Sequence, residues 1–340
     1  MSAEKRIWND LSRPMKERFS DLLSLTDSEE REIAFQTIMK NMDSTIAPEI
    51  VTAIREASAR GIDCRPEWGN LFVRWGHIDP EGALSFLKET DTSEWGRFAT
   101  SGATDGLMRG WGRKNPGSAL ASIDSGLINE CYRGVVFESW VQADHQAALA
   151  RMMADRGKDY GDYGRNFDLI ASEICREEGL EALFDTFKEI KSVAQDDLEL
   201  QRHAGQAVAS RLGHAPVETI VGWLLKEAAD NPELGKELVN NTYQNVEVYY
   251  PDRSMEILAE LAEGSLPIDI LHAPILTETR RNPMRVGNWL NEHVGEASFD
   301  PIRASYVQSL LEIDPTSARK WAETISDPEL RAKSLKHSVE

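Results

Sequence analysis

The sequence predicts an all-α chain, an α/α superhelix (solenoid) of about nine antiparallel helix-pair repeats with a period of 29–37 residues. Three observations carry this expectation. A turn-like pattern, W-x3-[DN]-[PH]-x2-A, recurs along the chain. Its copies are spaced at the length of two short helices and their turns. Apolar residues recur at helical spacing, and no window sustains the alternation of a strand.

The pattern is clearest in RWGHIDPEGAL, GWGRKNPGSAL and SWVQADHQAAL. Trp75, Asp79, Pro80 and Ala83 of the first correspond to Trp111, Asn115, Pro116 and Ala119, then to Trp140, Asp144, His145 and Ala148. Weaker copies place Pro48, Gly179, Pro216, Pro251, Pro283 and Pro315 in the proline position. Three residues later stand Val51, Ala182, Thr219, Ser254, Val286 and Ala318, all small or β-branched. An Asp or Asn before proline is a helix N-cap followed by the first helical residue. The side-chain oxygen takes an orphan amide, and the missing proline donor costs nothing there.

The elements follow in order. Residues 1–27 form an N-terminal capping region with a helix started by Pro14, PMKERFSDLLSL. Residues 28–326 are the repeat array. In EWGNLFVRW, Trp68, Leu71, Phe72 and Trp75 share one helix face. In DPEGALSFLKET, Ala83 is small enough to admit a crossing helix, and Leu84 and Leu87 extend the apolar face. Gly102, Gly106 and Gly110 stand at steps of four in TSGATDGLMRGWGRK. Each glycine costs a helix about 1 kcal/mol, so the row points to a closely approaching backbone. GKDYGDYGRNFD reads as an inter-helix loop or a polar helix start. GHAPVETIVGWLLKE is a helix because its apolar run follows a capping proline and exceeds strand length. Asn231-Pro232, Asp300-Pro301, Asp314-Pro315 and Asp327-Pro328 each start a helix. Residues 327–340 are a capping half-repeat, with Arg331, Lys333, Lys336 and Glu340 available for a polar outer face.

Composition limits the function classes. The 38 Lys and Arg face 57 Asp and Glu, a net charge of −19, which repels phosphate backbones and argues against a nucleic-acid partner. No stretch is long and apolar enough for membrane insertion. Cys64, Cys131 and Cys175 are three and widely spaced, and read as small buried residues in a reducing compartment. The N-terminus MSAEKRIWNDLSRP has no signal-like apolar core. The expectation is therefore a cytoplasmic protein, or a periplasmic one whose signal peptide has been removed.

Several stretches resemble chemistry and read better as structure. His77 and Asp79 sit two residues apart, as an acid–base pair would, but Asp79 is a cap, and Arg113 and Gln142 replace His77 in the other copies. Trp75, Trp111 and Trp140 close apolar helix faces, so packing is favoured over a stacking ladder. GKDYGDYGRNFD fails the alternation of a calcium loop, GWGRKNPG lacks a phosphate-loop ending, and no zinc pattern occurs. No metal or cofactor is expected. Tyr160 and Tyr163 are candidate contact residues on an exposed connection. Tyr249, Tyr250, His272, Arg280 and Arg281 form the one cluster worth testing for binding or catalysis.

The helix-pair period resembles the tetratricopeptide-type, HEAT-like and related α/α solenoid families. The W-x3-DP-x2-A unit is more similar to uncharacterised bacterial Trp/Asp-Pro helical-repeat proteins, over residues 28–340. It departs from the tetratricopeptide pattern in its alanine, glycine and tyrosine positions. The resemblance implies an extended concave surface for protein partners and carries over no catalytic residue. The expected function is a non-catalytic scaffold that binds a protein or peptide partner, basic or polar, on an extended acidic surface. The alternatives are an α/α-fold enzyme acting on polysaccharide and a structural spacer in an envelope assembly.

Overall fold

A computed structural model describes residues 13–90, 96–154, 163–264 and 266–336. Among the described residues the chain forms 20 α-helices and no strand. It divides into two compact units, residues 1–162 and 163–340. The first holds α1 (Met15–Leu23), α2 (Ser28–Asn41), α3 (Ala47–Ala59), α4 (Arg65–Ile78), α5 (Pro80–Glu89), α6 (Gly96–Lys114), α7 (Pro116–Asp124), α8 (Arg133–Ala143) and α9 (His145–Ala154). The second holds α10 (Tyr163–Glu177), α11 (Leu180–Val193), α12 (Leu198–Ala209), α13 (Val217–Asp230), α14 (Pro232–Tyr249) and α15 (Pro251–Glu263). It continues through α16 (Ile268–Arg281), α17 (Pro283–Glu292), α18 (Asp300–Ile313), α19 (Pro315–Ala322) and α20 (Pro328–Ser334).

Each of the nine recurrent positions opens the second helix of a pair. Pro80, Pro116, His145, Pro251, Pro283 and Pro315 are first residues of α5, α7, α9, α15, α17 and α19, and Pro48 is the second residue of α3. The caps form as the letters require. Asp79 accepts the Gly82 amide at 2.9 Å, Asn115 that of Ser118 at 3.1 Å, and Asp144 that of Ala147 at 2.9 Å. Asn231, Asn282, Asp314 and Asp327 cap α14, α17, α19 and α20 in the same way. The small residue three positions on is buried in seven copies: Val51, Ala83, Ala119, Ala148, Ser254, Val286 and Ala318. The other two slip by one. Gly179 and Pro216 are caps rather than first helical residues, so Leu183 and Ile220 point inward in place of Ala182 and Thr219.

First helices pack on the first helices of the next pair. In the first unit α4 lies against α6 and α6 against α8; in the second α10, α12, α14, α16, α18 and α20 follow one another. The glycine row explains the closest of these contacts. A Cβ on Gly110 would stand 2.0 Å from the Val73 carbonyl oxygen, and one on Gly76 2.2 Å from that of Leu107. Gly106 faces the Gly69 carbonyl at 2.7 Å, whereas Gly102 meets only the Trp68 ring edge at 3.7 Å. Two of the three glycines in the row therefore admit a backbone, and the third does not.

The tryptophans pack rather than form a ladder. Trp75, Trp111 and Trp140 are all buried, and Trp75 sits between Phe72 and Phe86 at ring distances of 5.8 and 5.0 Å. Where the motif lacks Trp, Val246 and Leu310 fill the place with buried aliphatic side chains, and two other joints place a buried carboxylate there. Glu278 occupies the Trp position before Asn282-Pro283 and accepts a hydrogen bond from the buried Tyr243 hydroxyl at 2.5 Å. Burial and that carboxylate together hold the Tyr243 phenol far above its usual range. Glu227 occupies the same place before Asn231-Pro232 and is paired with Lys191.

Asp300 corrects one expectation. It is the first residue of α18 and does not cap it; a short turn, Ala297–Phe299, leads directly into the helix. Its buried carboxylate takes the Arg303 guanidinium at 2.7 Å and the amides of Ser326 and Asp327 at 2.7 and 3.1 Å. Arg303, wholly buried, also donates to the carbonyls of Glu296 and His293. The aspartate thus ties the entry of α18 to that of α20. Cys131 departs too: it is exposed in a turn between pairs, while Cys64 is buried and Cys175 half-buried.

Two substitutions of one chemical type separate the packing role of glycine from its helix cost. Gly110→Ala forces a methyl into the Val73 carbonyl and should destabilise the chain by about 1–3 kcal/mol. Gly222→Ala, on an exposed face of α13 with nothing within 4 Å, should stabilise it by up to about 1 kcal/mol. Urea midpoints measure both, and shifts of the same sign would contradict the packing account.

Candidate functional site

Because successive first helices lie side by side, their last turns and the joints after them line one edge of each unit. The residue two before each cap is a column along that edge. In the first unit it reads His77, Arg113, Gln142, and the Arg113 guanidinium donates to the Gln142 side-chain oxygen at 3.0 Å. In the second it reads Val248, Arg280, Glu312, with Arg280 and Glu312 paired at 3.7 Å. Arg281 reaches across to the Glu247 carboxylate. The caps and prolines of these joints are repeated; the exposed letters beside them differ from copy to copy.

The edge of the second unit gathers exposed apolar side chains. Tyr249 is 72% exposed, Met284 76%, Val248 67% and Ile313 48%. Tyr, Met and Arg are the residue types enriched where proteins meet.

The residues singled out from the sequence fall in several places. Tyr160 lies outside the described residues. Tyr163 is the first residue of α10, half-buried and engaged with a neighbour. Tyr249, Tyr250, Arg280 and Arg281 share the edge of the second unit. The Tyr250 hydroxyl is turned to His214 Nδ1 at 2.6 Å, and the Arg253 guanidinium lies 5.8 Å from its ring. His272 stands apart, eight residues before Arg280 in α16, or about 12 Å along the helix. Its Nδ1 is bonded to Ser305 Oγ at 2.6 Å. Four of the five are neighbours on a surface; they do not converge with His272 on a pocket.

The first unit has a feature that the sequence reading passed over. A groove of about 590 Å³ is lined by Lys40, Arg74, His77 and Arg113 together with Gln36, Met39, Asn70 and Val73. Burial lowers the His77 pKa, and Lys114, Arg74 and Arg113 lower it further. The signal was present: basic residues end three first helices, α2, α4 and α6. It was legible only once those ends were known to be neighbours. A larger cleft of about 880 Å³ runs past Ile54, Ile62, Cys64 and Trp68 and is mostly apolar.

Among the described residues no group of three or more His, Cys, Asp or Glu side chains is placed to hold a metal ion. No helix among them is long and apolar enough to cross a membrane. No known protein family, curated protein or solved structure matches the chain.

Two half-buried histidines, His77 and His272, predict a pH dependence. Burial, with nearby cations at His77 and Lys236 at His272, lowers the folded pKa of both imidazoles. In the unfolded chain they return to the usual value near 6.5. Below that value the unfolded chain binds more protons, so their contribution to stability is lost as pH falls. Replacing both (His77→Gln with His272→Gln) should shrink the drop in urea midpoint between pH 7.5 and 5.5. An unchanged drop would show that neither imidazole is responsible.

Proposed function

We propose that the protein is a non-catalytic helical-repeat scaffold, each unit a stretch of α/α solenoid, that holds a protein partner along its joint edges. The observation that carries this reading is the contrast within each joint. Cap, proline and small residue recur and are consumed by folding, while the letters facing solvent beside them vary from His77 to Arg113 to Gln142 and from Val248 to Arg280 to Glu312. A constant frame that displays changing side chains at fixed intervals is what recognition of an extended partner requires.

Charge favours a different partner chemistry for each unit. Residues 163–340 hold 18 Lys and Arg against 31 Asp and Glu; residues 1–162 hold 20 against 26. The second unit, with its exposed Tyr249 and Met284, suits a segment that carries both basic and apolar side chains. Arg280 and Arg281, already paired with Glu312 and Glu247, need not repel it.

A random peptide library displayed on phage and selected on the full chain tests this. An enriched sequence rich in Lys or Arg with apolar anchors is expected. Its binding should weaken about tenfold in Tyr249→Ala combined with Met284→Ala and stay unchanged in Ile33→Ser, an exposed position elsewhere. No enriched sequence, or one indifferent to the edge, would sink the proposal.

A further inference from the structure

The groove of the first unit gathers cations that, among the described residues, no carboxylate pairs with. Lys40 lies in the last turn of α2, Arg74 and His77 near the end of α4, and Arg113 and Lys114 at the end of α6. Basic residues in last turns offset the partial negative charge of helix ends. That effect explains a cation on each helix, but not their meeting around one concavity. Arg74 Nη2 donates to the Lys40 and Met42 carbonyls at 3.2 and 3.5 Å, and its Nε is buried with no hydrogen-bond partner. The Arg113 side chain reaches only the neutral Gln142 amide.

Carboxylates near in sequence are committed elsewhere. Asp79 holds the Gly82 amide, Asp43 the Thr45 amide, and Glu32 accepts from Gln36. Among the described residues none forms an ion pair with Lys40, Arg74, Arg113 or Lys114. In a chain with a net charge of −19, a concave, uncompensated basic groove is a place where an anionic group gains locally what it loses at long range.

We propose that this groove binds an acidic, extended peptide segment of a partner protein, with carboxylates at about every third residue. The cations are spread over three adjacent helices rather than focused on one point, so a single small anion would leave most of them unanswered. Packed helices lie about 8–10 Å apart, and an extended polyproline-II chain advances about 3.1 Å per residue and turns every third side chain to one face. Three residues therefore carry a carboxylate from one helix end to the next. His77 lines the groove beside Arg74 and Arg113, and its ring offers a hydrogen bond to a polar group of the segment. The proposal goes beyond the scaffold reading and is independent of the apolar edge of the second unit, so each can fail without the other.

The test is fluorescence anisotropy of the full chain with a labelled peptide of about twelve residues that has Glu at every third position and Ala or Ser between. Saturable binding is expected. It should weaken about fivefold or more in Lys40→Gln combined with Arg113→Gln, two exposed side chains. Arg60→Gln, an exposed cation outside the groove, should leave it unchanged. A peptide with Lys for Glu should not bind, and one with the same Glu residues contiguous should bind more weakly. Inorganic phosphate at millimolar concentration should not displace the peptide. Equal binding of the Lys peptide or indifference to the double variant overturns the site. Full displacement by phosphate reduces it to a small-anion site and overturns the peptide, and equal binding of the contiguous peptide overturns the spacing.

Discussion

One backbone conformation, repeated at a single residue between two helices, is the constraint on which the rest of this chain depends. Asp79, Asn115, Asp144, Asn231, Tyr250, Asn282 and Asp314 all have φ between −162° and −140° and ψ between 62° and 100°. Each amide still donates back to the carbonyl four residues earlier, at 2.6 to 3.0 Å, closing the last turn of the preceding helix. The next residue already belongs to the following helix. A following proline denies the joint residue the helical region and so ends one helix as it begins another. His145 and Tyr250 show that neither half of the device is indispensable. The Asp144-His145 joint keeps the geometry without proline, and the Tyr250-Pro251 joint keeps it without a side-chain cap.

Fixing the joint fixes what must pack beside it. The carbonyl that closes each last turn belongs to the residue at the Trp position, so that side chain is carried to the same inward place at each of these joints. Trp75, Trp111 and Trp140 fill it with rings, and Glu278 and Glu227 fill it with a carboxylate that brings its own partner, Tyr243 or Lys191. A buried charge is tolerated only when paired. These two sites therefore look chemical in isolation while serving the same end as indole.

Much of the architecture was legible because it is written in local chemistry. A cap, a proline and a small residue need only their own helix to be understood. The all-α class and seven of the nine helix starts, within a residue, followed from them. The failures are equally local in cause. Asp300 carries the same Asp-Pro letters as Asp314, but its carboxylate is drawn to Arg303 and to amides 26 and 27 residues away. No window around Asp300 reveals that competition. Gly179 and Pro216 shift by one residue because they cap their helices, a difference that spacing alone does not encode. The basic groove stayed hidden for another reason. Lys40, Arg74 and Arg113 are more than thirty residues apart in sequence, and only the stacking of first helices makes them neighbours.

The single-residue joints also distribute tolerance unevenly around the molecule. Between α4 and α5, α6 and α7, α8 and α9, α14 and α15, α16 and α17, and α18 and α19 there is no slack. An added residue there has no loop to occupy and would displace one helix from its partner. The uneven repeat length has to be absorbed elsewhere, in connections such as residues 60–64, 125–132 and 293–299. The division follows the joints rather than one side of the pairs: Asn231 alone also links α13 to α14, whereas residues 210–216 connect α12 to α13. Added length placed in such a connection would leave the register of the single-residue joints undisturbed, and added length placed in a joint would not.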